Sequence, residues 1–127
     1  TLELWQCVRN LHQLDWDAQA IENLRRFSQA GGKVALGTDY AGYRCAFDLG
    51  MPITEIELML QAEMTTMQII VAATKNAAHV CNLGYEIGTL EAGKMADLLV
   101  VRGNPLEDIQ ALTDVQMVIH NGVIIRE

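Results

Sequence analysis

The stretch Gly31-Gly32-Lys33-Val34-Ala35-Leu36-Gly37-Thr38-Asp39 decides how the rest of the chain is read. Val34-Ala35-Leu36 is short and wholly apolar, which suits a strand covered on both faces, as in a parallel sheet. The predicted strand runs over 33–38 and delivers the chain to a polar tip, Asp39. Upstream, 17–30 reads as a helix. Ala20, Leu24 and Phe27 recur at helical spacing, and Gly31-Gly32 stops the helix where a left-handed residue is needed. Helix, two glycines, buried strand and polar tip make one unit of an alternating α/β architecture.

Working outward, 40–52 holds two glycines and one proline and reads as a loop. Thr54 with Glu57 has capping-box spacing and predicts a helix over 54–64; Thr65 with Gln68 repeats that spacing and predicts a second over 66–82. On this last helix Met67, Ile70, Val71, Thr74, Ala77, Ala78 and Cys81 form one stripe, with Gln68, Lys75, Asn76, His79 and Asn82 opposite. The texture changes after Gly84. Residues 86–90 are strand-like, Glu91-Ala92-Gly93-Lys94 is a turn, and Leu98-Leu99-Val100-Val101 is a buried strand. Gly103-Asn104-Pro105 breaks it, and 106–112 reads as one or two helical turns. Strands over 115–120 and 123–126 flank Asn121-Gly122, a hairpin turn whose two residues take positive φ, so Ile119 should face Ile124 and Val118 should face Ile125. The expected division is an α/β unit over 1–85 and a β unit over 86–127.

Half of the 127 residues are hydrophobic, enough for one core, and the formal net charge is −7. An acidic surface repels a phosphate backbone, so nucleic acid is not an expected partner. Cys7, Cys45 and Cys81 form no C-x-x-C pair and are odd in number, which fits a reducing, cytoplasmic compartment better than a disulfide framework. No stretch is apolar for long enough to span a membrane as a helix. The opening, Thr1 to Trp16, has no clear cap and reads as a chain cut from something longer, or as one that has lost an initiator methionine.

Four collinear motifs resemble the amidohydrolase superfamily. Gly37-Thr38-Asp39 resembles the end of the last strand of that family's (β/α)8 barrel. Ala72-Ala73-Thr74-Lys75-Asn76-Ala77-Ala78 is similar to its final long helix. The run from Ile87 through Gly88, Leu90, Gly93, Ala96 and Asp97 to Val101 resembles its return into a small β-sandwich, and the Asn121-Gly122 hairpin fits the same domain. The branch most resembled contains imidazolonepropionases and Xaa-Pro dipeptidases. The resemblance implies the last strand and helices of a metal-dependent hydrolase barrel, followed by part of the sandwich.

It also implies a chemistry. One or two divalent metals, zinc first among them, activate a water that attacks a carbonyl carbon bonded to nitrogen. In that scheme Asp39 holds the metal or the water and shuttles its proton, while Tyr40, Tyr43 and Arg44 line the pocket for a small amide or dipeptide. Spacing alone favours a different reading of Asp39, an aspartate bonding its own backbone in a turn. Tyr40, Tyr43 and Arg44 equally suit loop packing. The resemblance further calls for four histidines, beginning with an H-x-H, and the chain contains no H-x-H. His12, His79 and His120 match no ligand position: His79 falls on a polar helix face, His120 abuts the hairpin turn, and His12 sits in the unpatterned start. A catalytic zinc needs about three protein ligands, so these residues alone should hold no metal and turn over no substrate.

Two other readings compete. One is a non-catalytic oligomerising module derived from the same barrel end. The other is an enzyme completed between subunits, with His12, Cys45 or His120 converging on Asp39. A single barrel strand has two unpaired edges, and such edges recruit partners, so the chain is expected to be a homo-oligomer. Light scattering on the eluting chain should give a mass above one protomer; a well-folded monomer counts against that expectation.

Overall fold

A computed structural model describes residues 18–38 and 50–126. Helix α1 covers 18–29 and ends as its glycines dictate: Gly31 has φ 81°, and the Gly31 and Gly32 amides donate back to Ser28 and Phe27 carbonyls at 3.0 and 2.9 Å. The Phe27 ring lies where a Cβ on residue 32 would sit, so a larger residue there would make that half-exposed ring move aside. On the outer face Glu22 bonds both Arg25 and Arg26, and those guanidiniums, Arg25 first, hold its carboxyl below the usual range.

Helix α2 (Ile53–Gln61) starts two residues earlier than an N-cap at Thr54 would place it and ends three residues short of the predicted 64. Its N-cap is Pro52, which has no side-chain oxygen to offer, so Thr54 lies inside the first turn instead of ahead of it. The second box forms as predicted. Thr65 Oγ1 accepts from Gln68 N at 3.2 Å and Gln68 Oε1 accepts from Thr65 N at 2.8 Å. The helix it opens runs as α3 (Thr66–Val71), a π-helical turn (Ala72–Asn76) and α4 (Ala77–Val80).

The buried face of this helix matches the predicted stripe only in part. Ala78 is buried and Ile70, Val71 and Ala77 are half-buried, as the stripe predicts; Ile69 and Ala72, outside it, are buried as well, whereas Met67, Thr74 and Cys81 are exposed. Residues 69–73 are apolar all round the helix, so periodicity cannot choose a face; contact with α2 chooses it. The core is Ile56, Met59, Met64, Ile69, Ala72 and Ile109, with Leu24, Val34, Leu36 and Leu112 packed against it. Ile56 and Ile69 are fully buried, which contributes roughly 1.5–3 kcal/mol each.

The predicted strand over 33–38 is extended, but among the described residues it pairs with no strand. Val34 and Leu36 pack against the helical core and Thr38 is half-buried; Lys33, Ala35 and Gly37 are exposed, so one face is covered and not two. A parallel strand needs neighbouring strands to satisfy its backbone. Here helical groups do part of that work. Leu36 N donates to Ala72 O at 3.1 Å and Asn76 Nδ2 donates to Val34 O at 2.7 Å.

Residues 86–90 form turns and bends instead of a strand, because Gly88 (φ 90°) folds the chain onto the helix. A Cβ on residue 88 would lie 2.6 Å from Ala78 Cβ and 3.0 Å from Thr74 O. Then follow β1 (Leu98–Val101), a 3-10 helix (Ile109–Thr113), β2 (Val115–His120) and β3 (Val123–Arg126). Asp108 caps the 3-10 helix by accepting from Gln110 N at 3.0 Å, and this sets Ile109 into the helical core. The strands form an antiparallel meander in the order β1-β2-β3. Asn121 and Gly122 take φ 49° and 78°, and Ile119 faces Ile124 as expected. Val118 faces Arg126, not Ile125, because a bulge between Val118 and Ile119 puts one extra residue on β3.

Gly88→Ala should cost about 2–4 kcal/mol, from a positive φ and an overpacked contact combined. Urea denaturation measures it; a loss below about 0.5 kcal/mol would mean that the loop does not rest on the helix as described.

Candidate functional site

The residues leading toward Asp39 are held by the long helix. Asn76, which helical spacing assigned to the polar side, turns inward and is half-buried at its bond to Val34 O. Val34 and Leu36 sink into the core on either side of exposed Ala35, so the extended segment keeps a fixed direction up to Thr38. Asp39, Tyr40, Tyr43 and Arg44 lie outside the described residues, as do His12, Cys7 and Cys45. Below the segment is a cavity of about 260 Å³ walled mainly by Val34, Met64, Met67, Val71 and Asn76. Its lining is chiefly apolar and holds no acid, histidine or cysteine.

The motif that carries the family resemblance closes a second region. Lys94, only 14% exposed at its side chain, donates from Nζ to Gly84 O at 2.7 Å and to Thr89 Oγ1 at 2.6 Å, and lies 3.9 Å from Glu91. This pins the loop 84–94 at both ends. The Thr89 hydroxyl first, then the Lys94 charge and more weakly that of Lys75, hold the Glu91 carboxyl below its usual range. Any stability that follows from this shift is present above the unfolded carboxylate value and fades as pH falls through the lowered one.

Asp97 ties the same run to the hairpin. Its Oδ1 accepts from Asn121 N at 2.7 Å and faces His120 Nδ1 at 2.9 Å, while Ala96 O accepts from Gly122 N at 3.0 Å. His120 is exposed, as its place by the turn predicts, and this carboxylate is its partner. The sequence reading gave Asn76, Lys94 and Asp97 no separate role. The available signal for Asp97 was a carboxylate shortly ahead of a strand whose antiparallel partner ends in Asn-Gly.

Metal ligands do not gather in this part of the molecule. Among the described residues no three His, Cys, Asp or Glu side chains stand close enough to share an ion. His79 is exposed on α4, remote in sequence from the Asp97–His120 pair, and Cys81 is an exposed free thiol rather than the core residue its spacing suggested. The described residues alone therefore do not fit a catalytic metal.

A sequence model of the amidohydrolase family matches residues 17–125. The imidazolonepropionase of Geobacillus sp. (strain WCH70) is 40% identical over 78 residues, covering 61% of this chain and 18% of that enzyme. The 5-methylthioadenosine/S-adenosylhomocysteine deaminase of Moorella thermoacetica is 33% identical over 126 residues, covering 85% of this chain and 29% of that one. Among solved structures, a Xaa-Pro dipeptidase with methionine bound in its active site superposes with a TM-score of 0.75 at 34% identity, over 87% of this chain and 26% of that one. The chain thus spans between 18% and 29% of the length of these three relatives.

Replacing Asp97 by alanine should lower stability by about 1–3 kcal/mol and speed amide exchange at Asn121, whose acceptor is removed. Asp97→Asn, which keeps an acceptor, should restore part of both. Unchanged exchange at Asn121 in Asp97→Ala would contradict the role given to this carboxylate. Matched from its first described helix to its last strand, and with the matched motifs packed on one another, the chain belongs to the amidohydrolase family.

Proposed function

We propose that these residues serve as the C-terminal part of a metal-dependent amidohydrolase, an enzyme that opens an amide or cyclic amide C–N bond with metal-activated water. The observation that carries this reading is the family match over residues 17–125, joined to an extended segment anchored by Asn76 and Ala72 and aimed at Asp39. The relatives' names point the same way, since an imidazolonepropionase, a dipeptidase and a deaminase all act at carbon–nitrogen bonds.

In this reading 33–38 is the last strand of a (β/α)8 barrel, 1–85 closes the barrel, and 86–127 contributes strands to a small sandwich domain. Asp39 supplies one carboxylate to the metal centre, zinc by preference, and accepts the proton of the attacking water. Barrel enzymes carry such groups at the C-terminal ends of their strands. Tyr40, Tyr43 and Arg44 follow at the rim and contact a small amide or dipeptide. The other metal ligands come from polypeptide outside these 127 residues. A reducing, cytoplasmic setting suits the free thiol of Cys81.

A second reading, a non-catalytic module that self-associates, is favoured by one observation. Val123, Ile124 and Ile125 are all exposed on the edge strand β3, and Leu99 and Val100 are exposed on β1. Apolar sheet of this kind is a surface that seeks a partner.

Metal analysis of the purified chain discriminates between a partial and a complete site. The expected result is far less than one zinc per chain, with no hydrolysis of dipeptides. Stoichiometric zinc that disappears in Asp39→Ala would show a complete site and overturn the partial-enzyme reading. The reading frame upstream supplies the other arm: an in-frame H-x-H is expected from the enzyme reading, and its absence favours the module.

A further inference from the structure

The chain contains three lysines, and all three line one hollow. Lys33 opens the extended segment, Lys75 lies on the π-helical turn, and Lys94 is the anchor of the loop 84–94. The hollow measures about 420 Å³, enough for a small metabolite, and has one acid in its lining, Glu91. Three lysines against one glutamate leave a local charge of +2 in a chain whose net charge is −7.

Three of the four described arginines behave differently. Arg25 and Arg26 pair with Glu22, and Arg102 pairs with Asp114. Lys94 is also engaged, but Lys33 and Lys75 make no ion pair or side-chain hydrogen bond among the described residues. Lys75 acts only weakly on Glu91, so two ammonium groups with little local compensation line a concave space, and an anion between them relieves their mutual repulsion. Polar atoms are at hand: the Asn82 amide and the Thr89 hydroxyl line the same wall, and Tyr85, 96% exposed, supplies an aromatic ring at the rim.

We propose that this hollow binds a small organic oxyanion, through a phosphate or carboxylate group held between Lys33 and Lys75. Ammonium groups bind such anions as point charges, so the site discriminates by charge and size more than by planar geometry. Its lining includes Lys33, at the start of the extended segment and roughly 16 Å of chain from Thr38 at the other end. The inference rests on the lysine positions and not on the amidohydrolase chemistry.

The test is an amide-resolved NMR titration of the full chain with inorganic phosphate and, separately, with succinate. Sodium chloride at matched ionic strength is the control. Saturable shifts at Asn82, Gly84, Thr89 and Lys94 are expected with at least one of the two anions. Saturation by phosphate alone identifies a phosphorylated ligand, and by succinate alone a carboxylate. The double variant Lys33→Gln/Lys75→Gln should weaken binding about tenfold, the loss of one charge-assisted contact or more. The arginine pair Lys33→Arg/Lys75→Arg should retain it. The single variant Lys75→Gln, on an exposed helical position, should weaken it by about threefold and serves if the double variant does not fold. Lys94 is left intact because it holds the loop. Shifts that chloride reproduces, or that persist unweakened in the glutamine variants, would overturn the proposal.

Discussion

The 2.7 Å bond from Asn76 to Val34 O sets the frame of the molecule, because an extended segment without a sheet has backbone groups that must find partners elsewhere. A buried carbonyl left unpaired costs about 1–3 kcal/mol, as much as a large side chain gains by burial. The helix meets that demand twice, through the Asn76 amide and through the carbonyl of Ala72. Both residues belong to the π-helical turn, where the chain departs from regular α-helical bonding. Their positions fix the segment against Ile69 and Ile56, and hence the line along which the chain approaches Asp39.

The family motifs owe much of their sequence to packing. Gly88 is a glycine because Ala78 and Thr74 O occupy the space where a side chain would be. Ala78 is small for the reciprocal reason. Lys94 closes a loop by reaching two of its acceptors, and Asp97 seats the hairpin turn. Gly88, Ala78, Lys94 and Asp97 each serve the packing of the chain on itself.

Local rules made part of this legible in advance. The Thr65–Gln68 box and the Asn121-Gly122 turn depend on contacts within a few residues, and both appear where spacing puts them. The face of the last helix was not legible. Ile69, Ile70, Val71 and Ala72 offer apolar surface in every direction, and only α2 decides which part is buried. The segment 33–38 meets no strand among the described residues, because pairing is a property of neighbours and sequence pattern records only a residue's own preference, whereas 86–90 turns at Gly88, whose positive φ no strand pattern reveals. Asn76 is the instructive case for the site. Helical spacing puts this polar residue on the side away from the apolar stripe, yet the Val34 carbonyl draws its amide inward.

The double engagement of Asp97 has a mechanical consequence. One carboxylate oxygen holds both the turn residue Asn121 and the preceding His120, while the far ends of β2 and β3 are joined by ladder bonds alone. Fraying of the last two strands should therefore begin at Arg126 and travel inward past the Val118 bulge, leaving the tip to separate last. A hairpin clasped at its bend peels like a zip from its open end.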